Sequence, residues 1–337
     1  MLAGVHPRGL SPGATRLWAK TTAFWGATLL VRETRQRWQN LPARLVVGGL
    51  LLLVTVAVLI LDRYWAPWYP CLALATVAFG LLSSLELRQL FPEPRPLAGW
   101  MHTSVVLVLL ANWYTPMGQH FPVRISPAAF VLLVASLMLL VGFVLEMARF
   151  RGTDGATQRL GLGTLALVWL GIAPSFLVQL RWFGWDPATA SLTATDRGLW
   201  ALAFAIFVPK VGDMAAYFGG TLLGRHRLAP ILSPKKTWEG AVAGLIGSLL
   251  SGMGIAELCR QQTQQTLLNW PAALLASAAI GVIAQCSDLA ESLVKRQRQV
   301  KDTSAYVPGL GGILDVVDSL LLSAPLSWLA LHLLQAP

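Results

Sequence analysis

Pro127-Ala128-Ala129-Phe130-Val131-Leu132-Leu133-Val134-Ala135-Ser136-Leu137-Met138-Leu139-Leu140-Val141-Gly142-Phe143-Val144-Leu145-Glu146 is a run of 20 residues whose only polar side chains are Ser136 and Glu146. At 1.5 Å per residue a helix of roughly this length crosses the ~30 Å hydrocarbon core of a bilayer. Comparable runs fall near 43–61, 70–87, 99–115, 160–180, 198–222, 238–257, 267–287 and 313–334. The reading is an all-α, polytopic integral membrane protein of about nine transmembrane helices. The run 99–115 is the weakest, because His102 and Asn112 dilute it, and those at 198–222 and 313–334 carry internal charge. The whole chain agrees: of its 337 residues 55% are hydrophobic and only 12% charged, which excludes an ordinary soluble domain.

Many of the 14 Trp residues, among them Trp65, Trp68, Trp100, Trp113, Trp182 and Trp270, lie near the ends of these runs, as interfacial aromatic belts do. Cys71, Cys259 and Cys286 are far apart and form no CxxC pair, so they indicate neither a metal knuckle nor a disulfide framework. The first 42 residues mix Arg, Lys, Trp and Pro, without the apolar core and small-residue site of a cleavable signal. Residues 17–31 suit either a helix lying in the membrane interface or a disordered tail.

Basic residues set the expected orientation. The amino-terminal tail holds Arg8, Arg16, Lys20, Arg32, Arg35, Arg37 and Arg44, whereas the loop after the first run holds only Arg63. With nine spans, 20 Lys and Arg fall on one side and five on the other, with Lys210 inside a span. By the positive-inside rule the tail is cytoplasmic and the carboxyl terminus outside, in a cell inner membrane. This asymmetry accounts for the net charge of +10, so nucleic-acid binding is not required. The chain divides into a basic tail (1–42), amino-terminal membrane helices (43–200) and a region that bears the chemistry (201–337).

Within that last region, Lys210 and Asp213 are three residues apart on one helical face and can pair, either to aid packing alone or to present Asp213 to a cation. In the following loop Ser233 or Thr237 can cap the next helix, Pro234 suits its first turn, and Lys235 and Lys236 form a phosphate seat at its amino terminus. Further on, the stretch from Ser287 to Asp318 places five acids and four bases between two apolar runs. Ionisable groups are costly in a membrane unless they face a cavity, one another or a charged ligand. Asp288, Glu291, Ser292 and Lys295 share a helical face, and Asp315 and Asp318 share another behind Gly309, Gly311 and Gly312. A solvated face would explain Glu291, Arg296 and Arg298, but not two acids inside the last apolar run. Hard oxygen ligands of this kind suit Mg²⁺, with room for a second cation.

These residues resemble the CDP-diglyceride synthetase, or phosphatidate cytidylyltransferase, family. Its S-x-x-K-R-x4-K-D element is matched by Ser292, Lys295, Arg296, Lys301 and Asp302, and its D-R-x-D element by Asp315 and Asp318. GD-x-x-AYF is matched from Gly212 and SPKKTWEG from Ser233. Leu310 stands where the family's P-x-H-G-G element has His, and Val316 where D-R-x-D has Arg. The resemblance implies transfer of a cytidylyl group from CTP to phosphatidic acid with release of pyrophosphate. It implies Asp288 and Asp315 as metal ligands, with Asp213 and Asp318 as further or supporting acids. Lys235, Lys236, Lys295, Arg296 and Lys301 are implied to neutralise phosphate, Lys210 to bind substrate and Ser292 to donate to a phosphate oxygen. The expected partners are CTP, phosphatidic acid, the bilayer and, as one assembly, a second copy of the chain. The alternatives are a CTP-dependent lipid kinase, a transporter with an ion path through Lys210, Asp213, Asp315 and Asp318, and a catalytically silent relative.

Overall fold

The computed structural model describes residues 41–121, 125–152, 155–185, 192–300, 303–304, 306–307 and 311–335. The expectations for residues 1–40, and for Lys301, Asp302 and Leu310, lie outside these. The helices are α1 (Leu41–Leu61), α2 (Pro70–Leu90), α3 (Ala98–Leu110), α4 (Pro127–Arg149), α5 (Ala156–Ala166), α6 (Ala173–Gln179), α7 (Leu192–Leu222), α8 (Trp238–Thr263), α9 (Trp270–Gln297) and α10 (Ile313–Leu334). A π-helical turn, Leu167–Ile172, joins α5 to α6 just ahead of Pro174, a residue with no N–H to give to a regular ladder. Helix starts follow local chemistry: Ser126 and Asn269 cap α4 and α9 through the amides of Ala129 and Ala272, and each is followed by proline in the first turn.

Among the described residues eight helical segments are long and apolar enough to cross a bilayer. The run expected at 99–115 is not one of them. It is helical over 98–120 but broken into α and 3-10 pieces and diluted by polar residues. The Asn112 amide is satisfied inside the protein: fully buried, it donates to Leu109 O (2.7 Å) and Ser175 Oγ (2.9 Å) and accepts from Gln179 Nε2 (3.1 Å). This segment still runs from one end of the bundle to the other. At one end Gln158 Nε2 donates to Glu93 O and Arg298 to Gln89 O, while at the far end the Trp113 and Trp182 indoles donate to Trp68 O and Pro67 O.

Large apolar side chains such as Leu132, Leu140, Leu250 and Leu275 are exposed on helix surfaces. Hydrocarbon, unlike water, imposes no hydrophobic cost on that exposure, so pairing between helices relies on close packing of small residues. The α7–α8 pair shows this. A Cβ on Gly212 would collide with Ser248 Oγ, and one on Gly247 would come 2.5 Å from Ala215 Cβ. The loop expected after α7 contains the one pair of strands among the described residues, an antiparallel hairpin of β1 (Arg227–Ala229) and β2 (Ser233–Thr237).

Candidate active site

Four elements bring charge to the end of the bundle marked by Glu93 and Arg298. Helix α9 contributes Asp288, Glu291 and Lys295 on successive turns of one face; α10 contributes Asp315 and Asp318; α7 contributes Lys210 and Asp213; and strand β2 contributes Lys236. One carboxylate oxygen each from Asp288, Glu291 and Asp318 lies within 4.8 Å of the other two. Lys236 Nζ is 2.7 Å from Asp288, and Lys210 Nζ is 3.2 Å from Asp213 and 3.7 Å from Asp318. Ser319 Oγ donates to Asp213 (2.7 Å), tying α7 to α10. Ser287 fixes α9 to α10 by donating to Asp318 O and accepting from the Leu322 amide.

Lys295 separates this cluster from Asp315. Its ammonium stands 2.7 Å from Glu291 Oε2 and 2.7 Å from Asp315 Oδ1. The other Asp315 oxygen, Oδ2, accepts from the amides of Thr303 (2.8 Å) and Gly312 (2.7 Å) and lies 2.8 Å from Thr303 Oγ1. Asp315 is therefore the cap of α10, its oxygens already engaged, and it lies outside the three-carboxylate group. The family resemblance implies it beside Asp288 as a metal ligand; here its Oδ2 is met by the Thr303 and Gly312 amides.

The third acid of the group is Glu291. Far from lying on a solvated face, it is wholly buried, and among the described residues nothing donates to its Oε1. A buried carboxylate oxygen without a donor costs free energy unless a cation meets it. The cluster fits a divalent ion on this ground and on net charge: five carboxylates (Asp213, Asp288, Glu291, Asp315, Asp318) face three ammoniums (Lys210, Lys236, Lys295). Asp288, Glu291 and Asp318 supply the hard oxygens such an ion prefers.

Several expected phosphate contacts have other placements. Lys235 and Lys236 lie on β2, directly ahead of the amino terminus of α8, and their side chains alternate, Lys236 turning to Asp288 and Lys235 standing exposed. Pro234 is also in that strand, and Thr237 is the cap of α8, accepting from the Gly240 amide (3.1 Å). Arg296 bonds to Leu232 O (3.0 Å) and Val300 O (3.3 Å), holding the hairpin turn to the end of α9. Ser292 is buried on the inner face of α9, and Val316 is half-buried on α10.

The residue missed by sequence reasoning is Glu86, which lies inside an apolar run of α2 and is wholly buried. Its Oε1 accepts from Ser304 Oγ (2.7 Å) and the Ile313 amide (2.9 Å), and its Oε2 from the Leu314 amide (2.8 Å), with Thr303 Oγ1 at 3.2 Å. An acid within a membrane-length run was the available signal.

Residues 42–334 match the model of the cytidylyltransferase family. The chain belongs to that family. Curated relatives include the phosphatidate cytidylyltransferase of Haemophilus influenzae, 29% identical over 81% of this chain and 93% of that protein. The Synechocystis phosphatidate cytidylyltransferase is 31% identical over 68% of this chain and 88% of its own length. Phosphatidate cytidylyltransferase 5, chloroplastic, of Arabidopsis thaliana is 29% identical over 88% of this chain and 73% of its length. The family match extends well ahead of the charged region, through the helices that contribute Glu86 and Asn112.

Proposed function

We propose that the protein transfers the cytidylyl group of CTP to phosphatidic acid, forming CDP-diacylglycerol and pyrophosphate. The observation that carries this reading is the group of three carboxylates flanked by Lys210 and Lys236 at one end of a membrane-spanning bundle. Family membership selects cytidylyl transfer from the reactions such a site can support. In this reaction a phosphate oxygen of the lipid attacks the α-phosphorus of CTP, the bond from that phosphorus to the β-phosphate bridging oxygen breaks, and pyrophosphate carries away the electron pair. No covalent enzyme intermediate is needed, only in-line placement and neutralisation of charge.

Asp288, Glu291 and Asp318 would hold Mg²⁺, which when bound supplies neutralisation of phosphate charge. Lys236 and Lys210, each already beside a carboxylate of the group, neutralise phosphate oxygens at its rim. Lys235, exposed on the outer face of β2, meets the more distant phosphates, and Arg296 keeps the hairpin in register with α9. Lys295 works from below, fixing Glu291 while balancing Asp315. A bundle end is where water-borne CTP and a lipid headgroup can meet with the acyl chains still in hydrocarbon. The abundance of Lys and Arg at that end supports a cytoplasmic placement in the cell's inner membrane. A homodimer belongs to the same proposal.

The test is label transfer in purified protein reconstituted with phosphatidic acid and Mg²⁺. Label in the α-phosphate of CTP is expected in the lipid fraction, with pyrophosphate released in equal amount. Transfer of γ-label instead would make the protein a lipid kinase, and transfer of neither would make it a silent family member.

A further inference from the structure

Glu86 ties the amino-terminal half of the chain to the carboxylate group through a continuous set of polar contacts. From α2 it receives the amides of Ile313 and Leu314, which as the first residues of α10 have no partner within their own helix. It also holds two residues of the connection from α9 to that helix, Ser304 at 2.7 Å and Thr303 at 3.2 Å. The Thr303 hydroxyl is 2.8 Å from Asp315, Asp315 is 2.7 Å from Lys295, and Lys295 is 2.7 Å from Glu291. The space is filled to the point that a Cβ on Gly312 would overlap the Glu86 carboxylate and the Thr303 hydroxyl, so a side chain there would displace those groups.

We propose that Glu86 is a positioning residue for the divalent-cation site: it sets the start of α10, and through Thr303, Asp315 and Lys295 it sets the orientation of Glu291 and Asp318. The inference rests on the functional reading above only in taking Asp288, Glu291 and Asp318 as the cation ligands. Electrostatics add to the geometry, because a carboxylate against the amino-terminal turn of α10 complements the helix dipole. With Glu86 and Asp315 filling that turn, it is not available to bind phosphate, and anions must be met by the lysines.

The two oxygens of Glu86 each accept one backbone amide, which cannot reverse its polarity. Glu86→Gln places an NH₂ group against one of those amides, so the start of α10 must shift. Outer groups that orient metal ligands change affinity or activity by about 10–100-fold when altered. The experiment is Mn²⁺ binding, followed by the loss of free-ion EPR signal, in reconstituted wild type, Glu86→Gln, Glu86→Asp and the double variant Thr303→Val/Ser304→Ala. The kcat and the apparent KM for Mg²⁺ and for CTP are measured in parallel. Glu86→Gln is expected to weaken Mn²⁺ binding by at least about tenfold and to raise the KM for Mg²⁺ more than that for CTP. Glu86→Asp should recover part of the loss, and the double variant, which keeps both backbone caps, should lie between. If Glu86→Gln fails to fold, the double variant decides. Wild-type Mn²⁺ binding in the folded variants would overturn the inference. Wild-type protein that binds no Mn²⁺ would instead overturn the cation site of the functional reading.

Discussion

Glu291 and Asp315 are both carboxylates held 2.7 Å from the Lys295 ammonium, yet their free oxygens face opposite demands. Asp315 Oδ2 accepts the amides of Thr303 and Gly312, whereas Glu291 Oε1 is buried with no donor among the described residues. This difference predicts distinct outcomes for Asp315→Asn and Asp318→Asn. Breaking a buried pair by removing one partner costs about 3–5 kcal/mol, so Asp315→Asn should lower thermal stability and, through it, turnover. Asp318→Asn removes one of three mutually repelling acids, so it should leave stability unchanged or raised while pyrophosphate release falls on the order of 100-fold or more. Thermal unfolding in lipid nanodiscs beside turnover separates the two; an Asp315→Asn protein of wild-type stability but no activity would return Asp315 to the cation.

At the scale of elements, the α7–α8 contact and the hairpin determine where the lysines stand. Gly212, between Lys210 and Asp213 on the helix, faces Ser248, which itself donates to Val208 O (3.2 Å). Glycine is needed there for close approach of two backbones, not for an unusual backbone angle. Gly212→Val should force the helices apart, at about 1–3 kcal/mol of overpacking, and withdraw Lys210 and Asp213 from α10. The expected result is a lowered unfolding temperature together with a loss of turnover that extra Mg²⁺ does not restore. Wild-type turnover in a stable Gly212→Val protein would show that α7 can move without disturbing the site. The hairpin has a similar function: its β2 alternation presents Lys236 to Asp288, and Arg296 fastens its turn.

For the whole molecule, all of the site lies at the end of the bundle that carries Glu93, Arg159 and Arg298, and the last helix leads away from it. At the far end Gln335 pairs with Leu268, and His332 stacks on Trp328 and against Phe183. If the basic end is cytoplasmic, a membrane-impermeant thiol reagent added outside intact cells should label Gln335→Cys but not Lys235→Cys, each in a chain whose Cys71, Cys259 and Cys286 are replaced by Ser. The reverse labelling would invert the orientation read from Lys and Arg.

The sequence by itself determined the membrane class, the placement of most helices, the Lys210–Asp213 pair and the family, because these depend on local hydropathy, i,i+3 spacing and ordered motifs. It also brought forward every acid at the site except Glu86, and Glu291 only as a surface residue. What the tertiary structure alone decided was which partners meet each of those acids. Whether a carboxylate caps a helix or faces a cation depends on which amides and ammoniums reach it from other helices. Glu86 and Ile313 are far apart in sequence but in hydrogen-bond contact across α2 and α10. No periodicity along either helix encodes that contact, since it arises only when buried backbone donors must find their acceptors in a medium without water.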